Sequence, residues 1–247
     1  MSAASASLPP NERYARVLFA LLVAFAAAMA ISPHNRADWL LENVLTAVGV
    51  GTLIATRRVL PLSRVSYTLL FVFLCLHTLG SHYTYSLVPY DQGMEALTGR
   101  TLSSVTGWER NHYDRLVHLA YGLLLAYPAR EVFLRVADVR GFWGYYLPLD
   151  VVMATSALYE LIEWAAASFF GGELGTAYLG TQGDVWDAQK DMALAAAGAT
   201  FSMMLTAGIN WRFQRDFARS MAESLRVKHP EPLGEESLAR NLRDPGR

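Results

Sequence analysis

Residues 169–191, FFGGELGTAYLGTQGDVWDAQKD, join a glycine-rich loop directly to the start of an apolar helix. Asp184, Asp187 and Asp191 stand at i, i+3 and i+7, so a helix that begins near Gly183 carries all three on one face. Three carboxylates on one face repel each other, although the first two gain from the positive end of the helix macrodipole. The stretch therefore predicts a cation, a shared proton or a basic partner from elsewhere in the chain.

The composition indicates that the chain lies in a membrane. Of its 247 residues, 53% are hydrophobic and only 17% are charged, the mean hydropathy is +0.20, and the apolar residues form long runs. Runs of about 20 apolar residues cross the roughly 30 Å hydrocarbon core of a bilayer as helices. The sequence therefore predicts an all-α, polytopic transmembrane helix bundle. The single cysteine, Cys75, excludes an intramolecular disulfide.

Six runs are predicted to span the membrane. They cover residues 17–31, 40–56, 67–83, 111–128, 145–170 and 187–208. The basic flank and small residues of the first run also fit a cleavable signal peptide, but its length and the membrane helices after it favour an uncleaved span. We expect residues 1–16 to form a cytoplasmic tail, residues 17–210 the six-helix domain, and residues 211–247 a charged cytoplasmic tail.

The arginines predict the orientation of the bundle. They cluster in every second connection, around Arg16, Arg57, Arg135 and the C-terminal segment, and the alternate connections are poorer in basic residues. Because cytoplasmic connections are rich in Lys and Arg, both termini are predicted to be cytoplasmic. Glu42 and Asn43, at the outer start of the second span, are further candidates for a polar site.

On this topology the ionisable side chains of the spans lie in the outer half of the bundle. His82 ends the third span, and Asp114 and His118 are i, i+4 neighbours on one face of the fourth. Glu160 and Glu163 are i, i+3 neighbours in the fifth. Charged side chains are costly in hydrocarbon, so they usually face a bundle interior or a cavity. We expect these groups and the three aspartates to share one outward-facing polar chamber.

Four segments resemble those of a known family: GSHYTYSLVPY, RNHYDRLVHLAYG, YELIEW and LGTQGDVWDAQKDM. They are similar to segments of the YjdF-type family of small six-helix bacterial inner-membrane proteins. The resemblance extends from the first span to the sixth, and the last motif is long and specific. It implies a bacterial origin and a multi-pass protein of the inner (cytoplasmic) membrane, and it carries over no catalytic residues.

Each candidate residue also has a purely structural interpretation. Asp184 would cap the sixth helix, Asp187 would bond to first-turn amides, and Asp191 would pair with an arginine. Asp114 fits a helix cap at the membrane edge as well as it fits a site. For His118 the structural alternative is a buried neutral imidazole bonded to a nearby acceptor.

The two glutamates of the fifth span are harder to explain structurally. Carboxylates this close do not both stay ionised in a membrane unless a cation lies between them, so one would keep its proton. The competing interpretation of Glu160 and Glu163 is an ion pair with Arg110, Arg115 or Lys190.

One functional hypothesis is a membrane-embedded, metal-dependent hydrolase or phosphotransferase that acts on a lipid-linked substrate. The predicted ligands of its divalent metal are His82, Asp114, His118, Asp184, Asp187 and Asp191. A carboxylate of Glu160 or Glu163 would act as general base on a metal-activated water. Mixed histidine and carboxylate ligands suit Zn²⁺, Mn²⁺ or Fe²⁺.

The alternative hypotheses are a proton- or ion-coupled transporter of small solutes and a non-catalytic structural membrane protein. Transport is less favoured because the acids are confined to one half of the bundle and no inverted repeat is visible. The spacing of the glycines is not that of a phosphate-binding loop, and no serine stands in a nucleophile elbow. The expected partners are the lipid bilayer and a lipid-linked or small-molecule ligand, without nucleic acid, and the sequence does not define an oligomeric state.

Overall fold

The computed structural model describes residues 10–172, 175, 179–228, 242 and 243, and in this part of the chain it contains helices and no strand. The helices used below are α1 Pro10–Met29, α2 Arg36–Thr56, α3 Arg64–His82, α4 Tyr90–Thr98, α5 Leu102–Thr106, α6 Tyr113–Val136, α7 Trp143–Phe170, α8 Asp187–Phe213 and α9 Phe217–Ser224. The prediction of an all-α fold is confirmed.

Three helices, α2, α3 and α8, are long and apolar enough to cross a membrane. The helices α1, α6 and α7 have 20, 24 and 28 residues, and at 1.5 Å per residue each is long enough for the hydrocarbon core. These three helices also carry charged side chains, among them Arg16 in α1, Asp114 in α6, and Glu160 and Glu163 in α7. The acids of the candidate site lie on α6, on α7 and on α8, which carries Asp187 and Asp191.

Four helices, α1, α2, α3 and α7, begin before the spans that the sequence predicts. Pro10 opens α1, as its fixed φ favours at a first helical position. Asn35 caps α2, and its Oδ1 accepts hydrogen bonds from the amides of Ala37 at 3.0 Å and Asp38 at 3.2 Å. The second helix therefore includes Asp38, which lies outside the predicted span of residues 40–56.

The fourth predicted span also continues further than expected. Its helix, α6, runs through Pro128 to Val136, although proline removes one backbone hydrogen bond. The extra turns are held by Glu131, which accepts hydrogen bonds from the Ser63 amide at 2.9 Å and from the Ser66 hydroxyl at 2.6 Å. This contact joins the C-terminal end of α6 to the N-terminal end of α3.

The residues after the sixth predicted span form more than a charged tail. The helix α8 extends to Phe213, and the short helix α9 packs against the start of α7. The hydroxyl of Ser224 accepts a hydrogen bond from the Phe142 amide at 2.9 Å, and its carbonyl accepts one from Trp143 Nε1 at 2.9 Å. Residues 229–241 and 244–247 of the predicted tail, and residues 1–9, lie outside the described residues.

The helix α6 lies at the centre of the bundle, where it packs against α3, α7 and α8, while α1 and α2 pack on α3. Two glycines bring α6 and α8 into backbone contact. A Cβ on Gly122 would lie 1.9 Å from the carbonyl oxygen of Ala195, and one on Gly198 would lie 2.2 Å from that of Leu119. Only glycine fits at both positions, as expected where membrane helices approach closely.

The contact between α6 and α8 positions the acids. The two helices run in the same direction, so residues one and two turns before Gly122 face residues one and two turns before Ala195. Those residues include His118 on α6 and Asp191 on α8, with Asp114 and Asp187 one turn nearer the N-terminal ends of these helices. This helix pair therefore brings together predicted site residues that are far apart in the sequence.

Candidate metal centre

Two arginines neutralise the first two aspartates of the loop–helix stretch. Asp187 is 4% exposed and accepts hydrogen bonds from Arg110 Nη1 at 2.6 Å and Arg115 Nη2 at 3.2 Å. Asp184 accepts one from Lys190 Nζ at 2.5 Å and another from Arg115 Nη2. The basic partners that the sequence predicts are therefore Arg110, in the loop before α6, and Arg115, in the first turn of α6.

The charges around Asp184 shift its ionisation. The hydrogen bond from Lys190, the amide of Trp186 and the guanidinium of Arg115 hold the pKa of Asp184 well below its usual range. Asp184 is therefore a stable anion in the loop before α8, and its charge is committed to these partners. The amide of Trp186 donates to its Oδ1 at 3.1 Å. Trp186 itself is the N-cap of α8 and the helix has no side-chain cap hydrogen bond, so the predicted capping of this helix by Asp184 is wrong.

Asp191 has no such partner. It is 2% exposed, and its Oδ1 makes no hydrogen bond within the described part of the chain. Asp114, His118 and Asp191 each offer a ligand atom, and these three atoms all lie within 4.8 Å of one another. Asp114 Oδ1 lies 3.5 Å from His118 Nε2. These three residues form a buried group that could hold a metal ion, and we call them the metal triad.

The fifth predicted span adds carboxyl groups next to the metal triad. Glu160 Oε1 lies 3.7 Å from His118 Nε2 and, like Asp191 Oδ1, makes no hydrogen bond to a described residue. Glu163 interacts with the carboxyl group of Glu160. Arg110, Arg115 and Lys190, the basic side chains of the competing interpretation, bind Asp184 and Asp187. The imidazole of His118 therefore faces carboxylates from three helices.

The structure brings some predicted ligands together and leaves others apart. Asp114, His118 and Asp191 share one group, whereas Asp184 and Asp187 are held by basic side chains. His82 Nδ1 lies 2.7 Å from the carbonyl oxygen of Met29, and its ring packs edge-on against Tyr83. The structure thus does not bring His82 into the metal triad. Metal binding by His82, Asp184 and Asp187 stays a prediction.

Sequence reasoning missed part of a second buried polar group. Asp38 and Glu42 on α2 are 1% and 4% exposed. Tyr159 on α7 donates a hydrogen bond from its hydroxyl to Glu42 Oε2 at 2.8 Å. Two acids at i and i+4 in an apolar helix are the signal that could have identified the pair. Asp38 is not among the predicted site residues because the predicted second span begins after it, at residue 40.

His77 continues this polar group on α3. Its Nε2 lies 2.7 Å from Thr46 Oγ1, and its Nδ1 lies 2.5 Å from the hydroxyl of Tyr85. His77 is buried, and each ring nitrogen has a hydrogen-bonding neighbour. The environment of His77 is that of a structural histidine whose two ring nitrogens both have hydrogen-bonding neighbours. The environment of His118 is different.

The fold and the site define a helical integral membrane protein with buried carboxylates and histidines between its helices. Residues 14–212 match the family described as predicted membrane protein (DUF2238), and the chain belongs to this family. It is similar to inner membrane protein YjdF of Escherichia coli (strain K12), with 39% identity over 188 residues that cover 76% of this chain and 86% of the relative. No solved structure matches. The family resemblance and the inner-membrane location predicted from the sequence are confirmed.

Proposed function

We propose that the metal triad binds a divalent metal ion and that the protein is a membrane-embedded, metal-dependent hydrolase or phosphotransferase. The observation that carries this proposal is the approach of three ligand atoms, from Asp114, His118 and Asp191, to within 4.8 Å of one another. The unpartnered oxygens of Asp191 and Glu160 support it. A buried carboxylate oxygen without a hydrogen bond is costly, and a metal ion would satisfy it.

The donor set suits a catalytic rather than a structural metal. One imidazole and two carboxylates fit Zn²⁺, Mn²⁺ or Fe²⁺, and three protein ligands leave a coordination position open for water. The ion pairs of Asp187 with Arg110 and Arg115 fix the first turn of α8 and so hold Asp191 in position. Such second-layer contacts orient metal ligands in known sites.

The chemistry would be hydrolysis of an ester in a lipid-linked substrate. A bound divalent metal supplies a water that ionises near neutral pH. Glu160, which lies 3.7 Å from His118 Nε2, or Glu163 next to it would accept the proton of this water as its oxygen bonds to the phosphorus or carbonyl carbon. The same carboxyl group would return the proton to the leaving oxygen when the ester bond breaks. Transfer to an acceptor hydroxyl follows the same course, with the hydroxyl in place of water.

The proposal includes a topology in which α1, α2, α3, α6, α7 and α8 cross the membrane. Residues 1–16 and 211–247 would be cytoplasmic tails around a membrane domain of residues 17–210. The arginines near the Ser63–Glu131 contact lie at the end of α6 opposite Asp114, which fits a centre that faces outward. Reporter fusions after Arg140 and after Gly172 should report opposite sides of the membrane.

A phosphate-release assay tests the enzymatic proposal. Purified protein in mixed micelles with a total bacterial lipid extract should release phosphate or a water-soluble headgroup with Zn²⁺ or Mn²⁺, and chelation should stop the release. The double variant Glu160→Gln, Glu163→Gln should lower the rate by about 100-fold or more, as expected for loss of a general base. Arg140→Gln, an exposed change far from the site, serves as the matched control. If wild type and this double variant release headgroups equally, the enzymatic proposal fails.

A proton-coupled transporter is the second candidate, and the Tyr159–Glu42 hydrogen bond of 2.8 Å favours it. That bond connects the acids of α2 with the acid pair of α7, which continues to His118. Chains of acids and histidines carry protons in membrane transporters. Vesicles that contain the protein and a pH-sensitive dye would show a proton leak that Glu42→Gln abolishes. If neither hydrolysis nor proton movement occurs, the polar group has a structural role.

A further inference from the structure

A groove of about 860 Å³ lies at the end of the bundle that carries the arginines. It is formed by the first half of α1, the last turns of α2 and the first half of α3. Both α1 and α2 pack on α3, so the groove lies between them with α3 as its floor. A hydrogen bond of 2.7 Å between Tyr14 and Thr68 fixes α1 against α3, so the groove is part of the fold.

The walls of the groove are apolar along most of their length. They include the side chains of Leu18, Leu22, Leu53, Leu70 and Leu74. Aliphatic walls of this kind fit a hydrocarbon chain, because burial of its methylene groups is favourable and needs no polar partner.

One end of the groove is basic. Arg16, Arg57 and Arg58 line it, and Glu12 is the acid beside them. Arg16 is paired with Glu12 at 2.7 Å, and Arg57 Nη1 donates to the Ile54 carbonyl at 2.7 Å. No hydrogen bond or ion pair engages Arg58 in the residues that the structure describes. Two of the three guanidinium groups therefore have no acidic partner among the described residues, and guanidinium is well suited to bind phosphate.

We propose that this groove binds an anionic phospholipid. The phosphodiester would lie against Arg57 and Arg58, and one acyl chain would lie along the leucines. A phospholipid fits better than a second copy of this chain, since a symmetric copy would bring its own arginines against these. The groove lies at the end of the bundle that carries the arginines, and the metal triad lies at the other end. The lipid proposal is therefore independent of the proposed activity.

Native mass spectrometry of the full chain with phosphatidylglycerol and phosphatidylcholine tests the proposal. Wild type should retain phosphatidylglycerol over phosphatidylcholine, and millimolar inorganic phosphate should not displace it. Each of Arg57→Gln and Arg58→Gln should weaken phosphatidylglycerol binding by about fivefold and leave phosphatidylcholine binding unchanged. Arg140→Gln, an exposed arginine outside the groove, is the control and should change neither.

A second variant tests the apolar part of the groove. Leu22→Trp fills the space between α1 and α3 and should weaken the binding of both lipids. Because Arg58 makes no hydrogen bond or ion pair with a described residue, Arg58→Gln should fold normally and remain informative if Leu22→Trp does not fold. Equal retention of the two lipids by wild type, or unchanged selectivity in Arg58→Gln, would overturn the proposal. A dimer that excludes lipid from the groove would also overturn it and identify a second copy as the occupant.

Discussion

Arg110 Nη1 donates a hydrogen bond to Asp187 Oδ1 at 2.6 Å, which joins the loop before α6 to the first residue of α8. Arg115 adds a second contact to the same oxygen at 3.2 Å. The two arginines balance Asp184 and Asp187, whereas Asp191, one turn further along α8, forms no ion pair with a basic side chain of the described residues. Of the three aspartates of the loop–helix stretch, Asp184 and Asp187 therefore hold the structure together, and Asp191 belongs to the candidate metal centre.

Loss of Arg110 should destabilise the fold. Arg110→Gln leaves Asp187 buried with only Arg115 near it, and we expect a loss of roughly 2 kcal/mol in the free energy of unfolding. Thermal unfolding of the purified protein in detergent measures this loss. Arg140→Gln is the control, since its ion pair with Asp138 is 78% exposed on both sides and should contribute less than about 1 kcal/mol. Equal losses in the two variants would show that the buried pair has no special role.

Gly122 should not tolerate a side chain. The methyl group of Gly122→Ala would meet the backbone of α8, so the helices must separate, at a cost of about 1–3 kcal/mol or more. Gly49→Ala on α2 is the control, since a Cβ there has no neighbour within 4 Å and alanine favours a helix. Thermal midpoints in detergent should fall for the first variant and stay level or rise for the second. A tolerant Gly122 would contradict the close contact of α6 and α8.

The ion pairs of Asp184 should make stability depend on pH. Since the pKa of Asp184 in the folded protein lies below its unfolded value, its contribution is fully present above about pH 4 and is lost as the pH falls toward the folded pKa. The difference in thermal midpoint between wild type and Asp184→Asn should therefore shrink below about pH 4. Lys190→Gln, which removes the first of its donors, should reproduce part of this loss. A difference that stays constant from pH 6 to pH 3 would contradict the ion-pair account.

The sequence predicts the membrane class and the core of the candidate site for clear reasons. Long apolar runs require a membrane, and charged side chains inside such runs must face one another. The i, i+4 spacing of Asp114 and His118 and the position of Asp191 one turn into α8 put all three at the same level. The outward orientation of this centre stays a prediction.

The partners of the individual acids could not be predicted. Arg110 lies in a loop, and no periodic pattern shows that it reaches Asp187 across 77 positions of sequence. Tyr159 likewise fits an interfacial tyrosine, and only the three-dimensional structure shows its hydrogen bond to Glu42 on α2. Contacts of this kind depend on how helices rotate about their axes, which a sequence pattern fixes only within a turn.

The metal content of the purified protein tests the central claim most directly. After loading with Zn²⁺, Mn²⁺ or Fe²⁺ and removal of free metal, elemental analysis should find a stoichiometric metal in wild type. The same should hold for Asp150→Asn, which changes an exposed carboxylate of α7. Asp191→Asn and His118→Ala should lose the metal. Wild type without metal after loading, or Asp191→Asn with the full metal content, would contradict the metal centre.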